Sequence, residues 1–192
     1  LAAYLEVTGP QATEMGELRF NDDGSVTMVS GSLNYGQGHH STFAQIVHTA
    51  TGIPFDRLDL IQGDSDQLIA GGGTGGSKTV IAAGTLLVHA SEMVIENGRK
   101  LSAHVLEASE ADIEFEKGTF RIAGTDRSID IMSLSEEVRS MKSKGTLPKD
   151  LPQGLDALLK EETPPSAFPN GCHVAEIEIE PDTGEVEVVR YS

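Results

Sequence analysis

The segments GQGHH at residues 36–40 and GGGTGGSKT at residues 71–79 determine how the rest of this chain is arranged. Each glycine-rich segment is followed directly by apolar residues at helical spacing, at 43–50 and at 80–88. A glycine loop that opens a helix favours an anion, because the backbone approaches closely and the first helical N–H groups point outward. Two such loops in one small unit predict a single phosphorylated ligand that is held from both sides.

Composition limits the partners that this chain can have. Its 192 residues suffice for one domain with a core or for two small subdomains. The formal net charge of −16 argues against binding to nucleic acid or to an anionic membrane. No apolar run reaches the length of a membrane span. The single cysteine, Cys172, cannot form an internal disulfide, which favours a reducing compartment and predicts a cytoplasmic location.

Hydrophobic periodicity in the first part of the chain predicts strands alternating with helices. The predicted elements are strands at 2–7, 13–20, 25–30 and 58–61 and helices at 41–51 and 77–109. In the second strand Glu14, Glu17 and Arg19 are expected to point outward. Gly52 is expected to end the first helix, and residues 96–98 are a candidate break in the second.

The second part of the chain predicts short strands and a long irregular segment. The predicted elements are a hairpin at 113–116 and 119–122, a strand at 128–131, a helix opened by a capping box at Ser133 and running to Lys142, a Pro-rich loop at 145–170 with one helical turn at 155–159, and a closing hairpin at 171–180 and 185–191. The predicted fold is α+β, with a mixed β-sheet and helices packed on one face in two layers. Three units are expected, at 1–110, 111–170 and 171–192, and the 192 residues are expected to be a fragment of a longer protein.

Two alternative interpretations of these loops, and two of the residue Gln37, remain open at this point. Residues 72–79 fit the P-loop pattern except that Ser77 stands where the last glycine belongs, so a phosphate-binding NTPase is one alternative. The chain could instead be an acidic interaction module whose glycine loops are only connectors. Gln37 either offers its amide to a ligand with ring nitrogens and a carbonyl, or bonds to its own loop.

Other chemistry-bearing residues give weaker signals. His39 and His40 are adjacent, so their side chains diverge, and we predict no metal site; one of them is expected to line a ligand and the other to lie on the surface. The acidic pairs are expected to be solvated surface, and no glutamate or aspartate is assigned a catalytic role. A reactive thiolate at Cys172 is not indicated.

The motifs taken together resemble a known family. The sequence GQGH is followed by AQIV at 44–47, GIPFDR at 52–57, GDSD at 63–66, the second glycine loop and a long Ala-rich helix. In this order they resemble the molybdopterin-binding large subunit of the xanthine dehydrogenase family, with the carbon-monoxide-dehydrogenase-like and aldehyde-oxidase-like bacterial proteins as the nearest branch. The segments 111–115 and 172–184 share the resemblance.

The resemblance implies a molybdenum hydroxylase, an oxidoreductase that inserts water-derived oxygen into a C–H bond of a small-molecule substrate. It implies molybdopterin cytosine dinucleotide as cofactor, with FAD on a medium subunit and 2Fe-2S clusters on a small subunit. The family's catalytic glutamate, in a Gly-x-Gly-Glu segment, and its glycine-phenylalanine loop beside the metal match no segment of this sequence. The isolated fragment is therefore expected to be inactive and to bind the cofactor weakly or not at all.

Carried over by position, the resemblance assigns the first loop to the pterin and the second to the pterin and its pyrophosphate-cytosine tail. The candidate cofactor contacts are Gly36, Gln37, Gly38, His39, Thr74, Gly75, Gly76, Ser77, Lys78 and Thr79. Two positions depart from the family pattern, because His40 replaces a common Glu and Lys78 replaces a usual Arg. Lysine keeps the charge but lacks the bidentate fork, so recognition of the tail is expected to be looser.

Overall fold

The computed structural model describes all of residues 1–192 and contains eleven strands and three α-helices. The strands are β1 (Ala2–Leu5), β2 (Thr13–Phe20), β3 (Val26–Ser30), β4 (Leu58–Ile61), β5 (Ile113–Glu116), β6 (Thr119–Ile122), β7 (Ser128–Asp130), β8 (Ala157–Glu162), β9 (Asn170–His173), β10 (Ala175–Ile179) and β11 (Val186–Tyr191). The helices are α1 (His39–Thr51), α2 (Thr85–Val105) and α3 (Ile131–Ser143). A π-helical turn, Val80–Gly84, leads directly into α2, and short 3-10 turns occupy Phe55–Arg57 and Glu110–Asp112.

A four-stranded sheet in the order β4-β3-β2-β8 forms the centre of the fold. The β3–β4 pair is parallel and the other pairs are antiparallel, so the prediction of a mixed sheet in an α+β fold is confirmed. Alternate residues of β2 place Gly16, Leu18 and Phe20 on one face. Leu86 of α2 lies against Gly16 on that face, and α1 packs beside α2.

The two predicted main helices form, with different limits. α1 begins two residues earlier than expected and ends at Gly52, whose φ of 71° is the left-handed conformation that a helix terminator adopts. α2 runs without interruption through residues 96–98, so the candidate break there is wrong. Gly98 is buried beneath the ring of Phe120, and a side chain at position 98 would collide with that ring.

The Pro-rich segment contains a strand that the sequence analysis missed. Residues 157–162 form β8, which pairs with β2 at the edge of the central sheet, so the predicted helical turn at 155–159 is wrong. Ala157 is buried and the following residues alternate between exposed and half-buried. This strand contributes one apolar face to the core, and its partner strand lies about 140 residues away in sequence, which local pattern analysis does not detect. The division of the chain at residues 110 and 170 stays a prediction.

The cap of α3 also differs from the prediction. Asp130 is the N-cap residue, and its carboxylate accepts hydrogen bonds from the N–H groups of Met132 at 3.0 Å and Ser133 at 2.9 Å. Ser133 lies inside the helix, where its hydroxyl donates to Asp130 at 2.6 Å. The capping box at Ser133 is therefore wrong, because the helix begins three residues earlier with Asp130 as its cap and Ser133 lies in its first turn.

Asp130→Ala is expected to lower the free energy of unfolding by about 1 kcal/mol, because it leaves two helical N–H groups without their acceptor. Asp130→Asn retains a side-chain oxygen and should lose much less. Urea denaturation followed by circular dichroism measures both variants, with Ser133→Ala as the control for loss of the hydroxyl bond alone. Equal stability of Asp130→Ala and the unaltered chain would contradict the assigned cap.

The terminal strands form two separate two-stranded sheets, β1–β9 and β10–β11. The predicted closing hairpin is confirmed for β10 and β11, whereas residues 170–173 pair with β1 instead. All residues of β10 and β11 are exposed, including the apolar pairs Ile177–Val188 and Ile179–Val186. A two-stranded hairpin alone is marginally stable in water, so this hairpin contributes little to the stability of the central unit.

Candidate functional site

The first glycine loop, residues 31–38, is shaped by Asn34 and by two glycines with positive φ. Gly36 has φ 109° and Gly38 has φ 78°, values that side chains disfavour. The Asn34 side-chain oxygen accepts the N–H groups of Gly36 at 3.2 Å and Gly38 at 3.1 Å. The sequence analysis missed Asn34, although asparagine commonly folds back on the backbone two residues ahead of it.

The N-terminus of α1 presents donors that no group of the chain uses. Gly38 is the N-cap and has no side chain to cap the helix. The N–H groups of His39, His40 and Ser41 have no acceptor within the chain. Free amides at a helix start carry partial positive charge and suit an anionic group, so this end of α1 has the chemistry that the glycine motif predicts.

The Gln37 side chain is turned into its own loop. Its oxygen accepts the Tyr35 N–H, and its amide nitrogen donates to the Leu33 carbonyl at 3.3 Å. This geometry is the second of the two alternatives for Gln37. Any contact between this side chain and a ligand requires it to rotate away from Leu33 and Tyr35.

The two adjacent histidines have different surroundings. His39 is only 4% exposed and stacks on Phe43, and its Nδ1 lies 3.3 Å from the Gln62 side-chain oxygen. His40 is exposed, and its Nε2 lies 3.0 Å from the Leu58 carbonyl. One buried and one exposed histidine agree with the expected divergence.

The second glycine loop, residues 71–79, contains a continuous run of free donors. None of the backbone N–H groups of residues 74–79 has an acceptor within the chain. Gly76 and Ser77 both have positive φ, 62° and 53°. Successive amides in left-handed and turn conformations form a concave site for anions. The loop is held from behind, because the Gly76 carbonyl accepts the Gly9 N–H at 3.1 Å.

The chain before the second glycine loop does not have P-loop geometry. The preceding strand, β4, ends at Ile61, so the loop does not follow its strand directly as a P-loop does. The helix opens as the π-helical turn Val80–Gly84. Such turns are rare and are frequent at functional sites, which makes this turn a structural marker that the sequence pattern did not predict.

The two loops lie against each other. The Gly73 N–H donates to the Gly31 carbonyl at 3.1 Å, and the Leu33 N–H donates to the Thr74 hydroxyl at 3.2 Å. That hydroxyl in turn lies 3.0 Å from the hydroxyl of Thr79. The hydrogen bonds therefore join the first loop to the start of the second helix, as two loops that serve one ligand require.

A buried carboxylate lies beneath the junction of the loops. Glu14 is 1% exposed, so the expectation that it points outward is wrong. Burial raises the pKa of Glu14, while hydrogen bonds from Met15, Gly31 and Ser32 and the charge of Lys78 oppose this increase. Strand alternation alone assigns Glu14 to the face of Leu18, and the expected outward direction failed because a charged residue was assumed to be solvated.

The raised pKa of Glu14 predicts how the stability of the domain depends on pH. Because its pKa in the folded chain lies above the ordinary 4.5, its contribution to stability is fully present below that pH and is lost as the pH rises through the folded-state pKa. Glu14→Gln removes the titration, so the variant should gain stability relative to the unaltered chain between pH 4.5 and neutrality. Urea unfolding of both chains across this range checks the sign. A difference in unfolding free energy that is constant with pH would contradict it.

The clefts described on this chain lie away from the two loops. One of about 580 Å³ lies between α2 and α3, lined by residues that include His104, Glu137 and Met141. No group of three or more His, Cys, Asp or Glu side chains is placed to hold a metal ion. No helix has the length and apolar composition needed to cross a membrane.

Comparison with known proteins identifies the family. The whole chain, residues 1–192, matches the family model of the molybdopterin cofactor-binding domain. The chain belongs to the molybdopterin cofactor-binding domain family. The resemblance noted in the sequence is therefore confirmed, and the glycine loops are those of a cofactor-binding domain and not of an NTPase.

Relatives of this molybdopterin cofactor-binding domain are large chains of oxidoreductases. It is 30% identical over 191 residues to the carbon monoxide dehydrogenase large chain of Afipia carboxidovorans, covering 97% of this chain and 22% of that one. It is 33% identical over 172 residues to the nicotine 6-hydroxylase large subunit of Paenarthrobacter nicotinovorans, covering 89% and 21%. The chain thus spans less than a quarter of the length of these curated relatives.

A solved structure has the same fold. The Cu,Mo-CO dehydrogenase in its carbon monoxide reduced state matches with a TM-score of 0.87 at 27% identity, covering 99% of this chain and 25% of that one. The α+β, cofactor-domain fold of the present chain is thereby confirmed over nearly its whole length.

The loops of this domain have room for a bound group. A Cβ atom placed on Gly36, Gly38 or Gly75 would have no other atom within 4 Å. These three glycines therefore border open space, and Gly36 and Gly38 also have the positive φ described above. Together with the free amides of residues 39–41 and 74–79, this space fits a phosphorylated, hydrogen-bonding cofactor.

Proposed function

We propose that this domain holds molybdopterin cytosine dinucleotide between its two glycine loops, as one part of a longer large subunit. The observation that carries the proposal is a pair of adjoining loops that combine free backbone N–H groups with glycines bordering open space. Hydrogen-bond donors that are not used within a protein are suited to the oxygens of a phosphate or pyrophosphate. The remaining walls of the cofactor site belong to other parts of the large subunit, so this domain alone holds the cofactor weakly.

The ten candidate residues have distinct roles in this proposal. Gly36, Gln37, Gly38 and His39 approach the pterin mainly through backbone groups, since the side chains of Gln37 and His39 are engaged within the chain. The second loop contributes backbone N–H groups, hydroxyls and one positive charge to the pyrophosphate and its nucleoside. Its members are Thr74, Gly75, Gly76, Ser77, Lys78 and Thr79.

The activity of the whole protein is then that of a molybdenum-dependent hydroxylase or dehydrogenase acting on a small molecule. The bound molybdenum cofactor supplies the oxidation chemistry, and electrons leave through 2Fe-2S clusters and FAD on a small and a medium subunit in the cytoplasm. This part of the proposal is supported by relatives that are named as dehydrogenase and hydroxylase large chains. No residue of this domain is assigned a catalytic role.

Gly75→Ala in the full-length complex tests whether the second glycine loop binds the cofactor. The methyl group meets no atom of the free chain, so the stability of the domain should change by less than about 0.5 kcal/mol. A methyl that overlaps a bound cofactor costs about 1–3 kcal/mol, which weakens binding by about 5- to 150-fold. The expected result is a lower content of molybdenum, measured by mass spectrometry, with an equal molar loss of the cytidine nucleotide released by acid hydrolysis.

Gly84→Ala is the matched control for this experiment. Position 84 also tolerates a methyl group, with its nearest neighbour at 3.4 Å. It is the last residue of the π-helical turn and follows the run of free amides that ends at Thr79. Its complex should retain full cofactor content. A Gly75→Ala complex with unchanged molybdenum and nucleotide content would remove the second loop from the site. An unaltered complex without molybdopterin would reject the proposed function itself.

A further inference from the structure

We propose that Glu14 is a positioning residue that holds the two glycine loops at the separation that the cofactor requires. This inference rests on the proposed function, because it assigns to a buried carboxylate the placement of the cofactor loops. Glu14 lies on β2, in the centre of the main sheet, and is 1% exposed. It lies beneath both loops and would hold them in place, whereas the ten candidate residues would contact the cofactor itself.

The carboxylate holds the first residues of the first loop. Its Oε1 accepts the N–H groups of Met15 and Gly31, both at 2.9 Å. Its Oε2 accepts the hydroxyl of Ser32 at 3.3 Å. Met15 belongs to the same strand, so the bonds that matter for position are those to Gly31 and Ser32. They fix the chain where it leaves β3 and enters the loop.

The same two residues connect to the second loop. The carbonyl of Gly31 accepts the Gly73 N–H at 3.1 Å. The residue after Ser32 donates its N–H to Thr74 at 3.2 Å. A displacement of residues 31–33 is therefore transmitted to residues 73–74, directly before the run of free amides. Glu14 touches no cofactor in this scheme and acts through Gly31.

The charge of Glu14 also acts on Lys78. Lys78 is the positive group whose field favours the ionised form of the buried carboxylate. Its Nζ lies 3.3 Å from the position that a Cβ of Gly72 would occupy, so the ammonium is folded back across the base of its own loop.

The experiment compares Glu14→Ala and Glu14→Gln in the full-length complex by hydrogen exchange and mass spectrometry. Removing the acceptor leaves the buried Gly31 N–H unpaired, so exchange in peptides covering residues 28–36 and 70–80 should accelerate about tenfold in Glu14→Ala. Glutamine retains the oxygen that accepts from Gly31. In Glu14→Gln the exchange of both peptides should therefore stay within about threefold of the unaltered complex. Glu17→Gln, on the same strand and paired with Arg19, is the matched control and should change neither peptide.

Three outcomes decide the inference. Faster exchange confined to the two loop peptides, lower molybdenum content in Glu14→Ala and recovery of both in Glu14→Gln support it. Equal acceleration throughout α2 would mean a general structural role and would overturn it, as would unchanged loop exchange. If Glu14→Ala does not accumulate, Ser32→Ala removes one bond only, and acceleration limited to the loops supports the inference while no acceleration overturns it. A complex that never contains molybdopterin rejects the proposed function, whereas the exchange comparison still reports on Glu14.

Discussion

Gly31→Ala is expected to abolish cofactor retention in the full-length complex and to destabilise the domain by about 3 kcal/mol. Its Cβ would lie 2.5 Å from the Cα of Gly71 and closer still to the Ala70 carbonyl oxygen and the Glu14 carboxylate. Two of these neighbours are backbone atoms, so no side-chain rotation can relieve the collision. The loops must separate, or the Gly31 N–H must leave its carboxylate acceptor.

The expected loss follows from the position of the crossing. Gly31 and Gly71 are where the two loops approach most closely, and the bonds from Gly73 and Leu33 lie on either side of this point. Loops forced apart by the width of a methyl group cannot both bond to one rigid cofactor. Separating the loops therefore removes the contacts that both loops make with the cofactor, and not only those of the loop that carries the substitution.

Molybdenum content per large subunit and urea denaturation of the 192-residue chain measure the two effects. Gly84→Ala again controls for the chemical change, since its methyl has ordinary contacts. Gly71→Ala should reproduce the defect, because its Cβ would collide with the Cα and carbonyl of Gly31 and its φ is 123°. A stable Gly31→Ala complex with full molybdenum content would show that the crossing does not set the site.

The parts of the fold that the sequence predicted are those with local causes. The terminator at Gly52 depends on residues adjacent in sequence, and it is present in the structure. The glycine loops were found for the same reason, since a glycine run directly before an apolar periodic segment is a local signal.

The failed predictions depend on distant partners. β8 is a strand because β2 offers it an edge, although its own segment is rich in proline and charge. Glu14 is buried because Gly31 and Ser32 supply hydrogen bonds from a neighbouring strand end. No window of sequence around residue 14 contains those donors, so composition assigned the side chain to solvent.

The two glycine loops were predictable from the sequence, but their internal hydrogen bonds were not. The sequence located both loops, whereas the internal hydrogen bonds of Gln37 and the role of Asn34 depend on backbone dihedral angles. The contact between the loops depends on glycines at positions 31 and 71, which the motif search treated as flanking residues. A close contact between two backbone segments of this kind produces no hydrophobic periodicity in the sequence.

Phe120→Ala is expected to lower the free energy of unfolding by about 3–5 kcal/mol, the cost of emptying a buried aromatic site. Phe120 is 0% exposed and packs on Phe115 with ring centroids 4.7 Å apart. It also covers Gly98, where a Cβ would lie 2.8 Å from the two Cε atoms and closer still to Cζ. This contact attaches the β5–β6–β7 sheet to the helix that starts at the second loop.

The effect of a second substitution, Gly98→Ala, on the free energy of unfolding should then have opposite signs in the unaltered chain and in Phe120→Ala. In the unaltered chain, Gly98→Ala pushes a methyl into the ring and costs about 1–3 kcal/mol. In Phe120→Ala the methyl enters vacated space, and alanine is favoured over glycine inside a helix by about 1 kcal/mol. The same substitution should therefore stabilise that background. Glu92→Ala, exposed on α2, should have the same small effect in both. Additive losses in a urea-denaturation cycle would mean that Phe120 does not determine the glycine at 98, and helix α2 would then owe its unbroken course to other contacts.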